Sequence, residues 1–183
     1  MHSVRVKDVC NEFLTAKETL VDTGELSRRH FKDLRCATDT IVDHFGGNRQ
    51  AEDILSAEFA ELRRKLAKRY GPAGLTRTIA NVRQVFNFAK ANHLIEDVHF
   101  GSEFKGPSRK VKRLHAAKNG VKLFEPQEVL DLLESASPSM RAIILLGVNC
   151  GLGNADVATL QRRYVDLDSG WISYHRPKTG VYR

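Results

Sequence analysis

The stretch AIILLGVNCGLGNADVATLQRRYVDLD, residues 142–168, changes character twice, and the order of those changes decides the fold. It opens with an apolar run from Ile143 to Val148. A Gly151-Leu152-Gly153 break follows. Asn154 then reads as a helix N-cap, and Asp156 falls in the first turn, where the helix dipole favours a carboxylate. Val157 and Leu160 give the new helix an apolar face.

Upstream, the apolar periodicity predicts four helices joined by short Gly-rich turns. The first spans about 6–21, with Val9, Phe13, Leu14 and Leu20 on its stripe. Ser27 caps the second, which buries Phe31, Leu34, Thr38, Ile41, Val42 and Phe45. Ser56 caps the third, on Phe59, Leu62 and Leu66. The fourth runs from about 75 to 91, after the Gly71-Pro72-Ala73-Gly74 break. Four such helices describe a small bundle over residues 1–100. Residues 101–122 form a basic linker, with no acid between Glu103 and Glu125. Its Gly101, Gly106, Pro107 and Gly120 argue against a continuous helix. A further unit spans 123–183: a helix starting at Glu125-Pro126 and ended by Ser137-Pro138, then another over 141–149.

Among 183 residues there are 29 Lys and Arg against 22 Asp and Glu, a net charge of +7 and a pI near 9.5. That excess favours an anionic partner such as nucleic acid, although solubility alone can account for a moderate net charge. Cys10, Cys36 and Cys150 lack CxxC spacing. They read as small core residues in a reducing cytosol, with no disulfide framework and no metal site. No signal peptide is visible, and no apolar run approaches the roughly 20 residues a membrane span requires, so a cytoplasmic location with no membrane partner is expected.

The central stretch resembles the opening of the catalytic domain of tyrosine recombinases, the phage integrase family. That family writes G-L-R-x-x-E/D, a short helix ending in an xDID segment, and a β-hairpin near K-T-G. Gly151-Leu152, Asp156, Leu160 and Val165-Asp166-Leu167-Asp168 match in register. Trp171-Ile172-Ser173-Tyr174 matches the strand and Lys178-Thr179-Gly180 the hairpin tip. The helix at Glu125-Pro126-Gln127-Glu128 resembles the family's domain opening. Residues 1–100 resemble its core-binding domain, through Phe13-Leu14, Gly24-Glu25-Leu26-Ser27, Asp53-Ile54, Phe86-Asn87-Phe88-Ala89 and Asn92-His93-Leu94-Ile95. The resemblance therefore implies a mostly α chain: a four-helix, SAM-like core-binding bundle, then the helical start and first β-hairpin of an integrase catalytic domain. It implies DNA integration and site-specific recombination on double-stranded DNA, carried out in a homo-oligomer without cofactor or metal.

The implied catalytic set is incomplete. Lys178 matches the hairpin lysine that acts as an acid toward the leaving oxygen, and Asp156 matches the acidic position. The family's arginine position is occupied by Gly153, which has no side-chain donor. Either activity is lost or another cation substitutes, and Arg141, Arg162, Arg163 and Arg176 are near in sequence, though sequence places none of them at a phosphate. With no arginine at 153, Asp156 reads as an ordinary first-turn carboxylate. The H-x-x-R motif and the nucleophilic tyrosine are not present, so the chain is expected to be a fragment that binds DNA without transferring strands.

DNA contact is expected from the second and fourth helices. Arg28, Arg29 and His30 fall in a first helical turn, where cations oppose the dipole, so helix stability does not explain them. Lys32 and Arg35 extend the patch. On the fourth helix Arg77, Arg83 and Lys90 flank the apolar face, with Thr76, Asn81, Gln84 and Asn87 as candidates for base edges. The linker cations Arg109, Lys110, Lys112 and Arg113 either track phosphates or belong to a charged flexible connector. The dense run Arg63-Arg64-Lys65 on the third helix reads as a solvated face or a secondary backbone contact. A non-catalytic DNA-binding regulator, or a basic helical interaction module, is the alternative.

Overall fold

The computed structural model describes residues 4–120, 123–176 and 180–182. Among them are eight α-helices, two short 3-10 turns and one two-stranded sheet, so the chain is mostly helical. None of these helices is long and apolar enough to cross a membrane. The contacts divide the chain into two units, 1–121 and 122–183.

In the first unit, α1 (Val6–Asp22) packs on α2 (Arg28–Phe45) and α4 (Pro72–Ala91), while α3 (Ser56–Arg69) and α5 (Arg109–Lys118) pack on α4. The core is aromatic at its centre. Phe59 lies 5.0 Å from Phe45, 5.2 Å from Phe86, 5.0 Å from Phe100 and 5.2 Å from Phe104, ring centre to ring centre. The N-terminal strand-like segment is tied to the α2–α3 connection, with Val6 N–H donating to Arg49 O at 2.9 Å and Ala51 N–H to Val4 O at 2.9 Å. Arg49 in turn grips Glu58, with Nη2 to Oε2 at 2.8 Å. That hydrogen bond, with the Leu55 N–H, holds the Glu58 carboxyl below its usual range.

The helix starts use two devices. Ser27, Ser108 and Ser137 accept from the backbone N–H three residues on, at 3.2, 3.3 and 3.4 Å. In α3, α6 (Pro126–Ser135) and α8 (Asn154–Thr159) a carboxylate in the first turn reaches back to the preceding N–H instead: Glu58 to Leu55 at 3.0 Å, Glu128 to Glu125 at 2.8 Å, Asp156 to Gly153 at 3.0 Å. The expected caps Ser56 and Asn154 are thereby displaced to the first helical position, because an acid already satisfies the orphan donor. Pro72 and Pro138 begin α4 and α7 (Pro138–Cys150) rather than breaking the chain, since a proline at the first helical position loses no hydrogen bond.

Three further expectations are corrected. The core does not stop near residue 100: Phe100 and Phe104 are buried in it. Residues 109–118 are helical, because Gly106-Pro107 and Gly120 bound a helix rather than prevent one. Of the cysteines only Cys10 is a core residue, and burial, assisted by the Asp39 carboxylate, pushes its thiol up to about 12. Cys36, on α2, and Cys150, at the end of α7, are exposed.

In the second unit, α7 packs on α8, and β1 (Val165–Asp166) pairs antiparallel with β2 (Trp171–Ile172). An isolated bridge joins His175 to Tyr182. The buried residues described here are Asp156 and Tyr174, whereas Leu130, Leu132, Met140, Ile143, Leu145, Val148 and Trp171 are exposed. Met140, Ile143, Leu146, Val157 and Leu160 line an apolar groove of about 650 Å³ between α7 and α8.

Candidate nucleic-acid interface

The cations of α2 and α5 share an arrangement that the other helices lack. Each of these helices starts at a serine cap, carries basic residues in its first turn and has no acid there. Arg28, Arg29, His30, Lys32 and Arg35 are all exposed, as are Arg109, Lys110, Lys112 and Arg113. Arg28, Lys32 and Arg35 recur at helical spacing and so form one stripe along α2. None of the Lys or Arg residues of α2 and α5 makes an ion pair among the described residues. By contrast α3, α6 and α8 each place an acid in the first turn.

Beside the α2 stripe lies a groove of about 350 Å³ between α2 and α4, lined by Asp33, Cys36, Thr40, Arg77, Thr78 and Asn81 among others. Arg77 is exposed, and Gln84 continues the line of Arg77 and Asn81 along α4 at i, i+4 and i+7. Asn87 is exposed and Gln84 half-buried. Segment 100–106 runs back along α4. Arg83 donates to Phe104 O at 3.0 Å, and Gly106 lies so close to Thr76 that an added Cβ would meet its Oγ1 at 2.9 Å. A Cβ at Gly71 would come within 3.6 Å of His115, which sets the later part of α5 against the start of α4.

Two residues expected at the interface have other partners. The Arg83 guanidinium lies 4.2 Å from the centre of the Phe100 ring as well as bonding Phe104 O, so it clips segment 100–104 to α4. Lys90 is paired with Asp97 at 2.6 Å. Arg63, from the third-helix run, donates from Nε to Lys105 O at 2.8 Å. Arg83→Met should therefore lower stability by about 1–3 kcal/mol, through the lost cation–π contact and an unpaired carbonyl. Urea unfolding of the variant checks this, and an unchanged midpoint would remove the clip.

In the second unit the expected catalytic positions fall as follows. Lys178 lies outside the described residues. Gly153 is the N-cap of α8, with φ −81° and ψ 169°, a conformation open to any residue. Asp156 lies in the first turn of α8, as expected, but it is a buried and ion-paired carboxylate rather than an ordinary one. It is 3% exposed and paired with Arg176, whose Nη2 lies 3.0 Å from Oδ2. Arg176 Nε lies 3.1 Å from Oδ2 and 3.3 Å from Oδ1. The hydrogen bonds to Asp156 push the guanidinium pKa above its already high ordinary value. Among the described residues no cluster of His, Cys, Asp and Glu could hold a metal ion.

No protein-family model matches the chain, and neither a curated protein nor a solved structure matches it.

Proposed function

We propose that the chain binds double-stranded DNA, in the manner of the tyrosine recombinase family that its motifs resemble. The observation that carries this reading is the set of unpaired, exposed cations that open α2 and α5. A helix start repels cations, so these residues weaken the helices they begin. A row of phosphates offsets that cost and draws the whole set to one ligand. The α2 stripe and α5 supply backbone contacts that position the protein, and Arg77, Gln84 and Asn87 of α4 supply polar groups for base edges.

The test is a pair of double variants assayed for duplex binding by fluorescence anisotropy. Arg28→Ala with Arg29→Ala should weaken binding to every sequence about equally and lower the salt slope by about 2. Arg64→Ala with Lys68→Ala, on α3, should do less. If the α3 pair does more damage, the interface lies on the wrong face of the bundle. If both pairs leave an affinity that ignores salt, a basic protein-interaction module is the better description.

A further inference from the structure

We propose that Arg176 is a phosphate-contacting cation of the second unit, held by Asp156 in the place that a side chain from residue 153 would otherwise reach. This rests on the DNA-binding reading above. Two groups converge on one carboxylate oxygen: the Gly153 N–H at 3.0 Å and Arg176 Nη2 at 3.0 Å from Asp156 Oδ2. A Cβ added at Gly153 would lie 3.5 Å from the same oxygen. Residue 153 and Arg176 thus face the same carboxylate, and in this chain Arg176, from the segment after β2, supplies its cation. The backbone does not demand glycine at 153, because its φ is −81°.

The guanidinium has five N–H donors in a flat fork. Asp156 engages the edge formed by Nε and Nη2, while Nη1 has no hydrogen-bond partner among the described residues. The exposure of the pair is on the arginine's side: 27% of its side chain is accessible against 5% for Asp156. The free edge suits a phosphate oxygen, and charge-assisted bonds of this kind are the strong ones. Asp156 acts as a positioning residue. It fixes the fork before the ligand arrives, which lowers the ordering cost of binding. Two residues before Arg176, the buried Tyr174 hydroxyl has no partner among the described residues, as at sites that take up a water or a ligand oxygen.

A competing role is a staple that only ties the hairpin to α8. The experiment separates the two with the full chain and a 30-base-pair duplex, measuring affinity from 50 to 200 mM salt and the unfolding midpoint of each variant. Arg176→Gln combined with Asp156→Asn removes both charges, keeps a hydrogen-bonding pair and leaves the net charge unchanged. The expected result is a binding loss of about tenfold and a salt slope lower by about 1. Gly153→Arg added to Arg176→Gln, with Asp156 retained, should restore both. Arg176→Lys, which keeps the charge and the ion pair, should keep the slope. A folded double-neutral variant with wild-type affinity and slope overturns the inference and leaves the DNA-binding reading standing. If the neutral pair does not fold, failure of Gly153→Arg to restore a weakened Arg176→Gln overturns it equally. Wild-type protein without salt-dependent binding removes the DNA-binding reading itself, a result visible before any variant is made.

Discussion

Phe59→Ala should destabilise the first unit by about 3–5 kcal/mol, the usual cost of emptying an aromatic core site. The ring is fully buried and touches four other phenylalanines, with centroids 5.0 to 5.2 Å away. Edge-to-face packing of such rings adds to the area they bury. Native domains have only about 5–15 kcal/mol in total, so this one change should leave the unit marginal or unfolded. Phe59→Leu should cost less, because it keeps most of the apolar volume. The measurement is urea unfolding followed by circular dichroism, since the single tryptophan, Trp171, belongs to the second unit. A loss under about 1 kcal/mol would contradict a core centred on this ring.

Replacing Arg109, Lys110, Lys112 and Arg113 together by glutamine should lower duplex affinity by up to about 10³-fold near 0.1 M salt. Each phosphate neutralised contributes about 0.9 to the salt slope, so losing all four contacts removes a slope of about 3–4. The side chains are exposed and α5 carries no buried residue, so the substitution should leave the first unit folded. The helix itself should gain slightly, because cations leave its N-terminal turn. An unchanged affinity with an intact fold would return these residues to an ordinary solvated surface.

The parts of the fold that local pattern controls were legible in the sequence. Leu34, Thr38, Ile41 and Phe45 repeat at helical spacing and line the core side of α2, and the Ser27 cap is where the sequence predicts it. The parts that depend on distant partners were not legible. Arg83 looks like a free surface cation until Phe100 arrives beneath it from beyond the end of α4. Asp156 looks like a dipole-complementing first-turn acid until the hairpin brings Arg176 across 20 residues to meet it. Arg176 was one of several neighbouring arginines, and only the hairpin's path selects it. For α5 the glycines and the proline were read as breakers of the whole segment, whereas they mark its two ends, and the Ser108 cap was the overlooked signal. Cys36 shows the opposite error: composition puts cysteine inside, but its place on α2 lies off the buried stripe.

The most direct test of the central claim is a salt titration of the unmodified chain on duplex DNA of mixed sequence. If the cations of α2 and α5 meet six or more phosphates, affinity should fall by about 10³-fold or more between 50 and 200 mM salt, along a straight line in log K against log salt. A flat response across that range, or no measurable binding at 50 mM, would contradict the account.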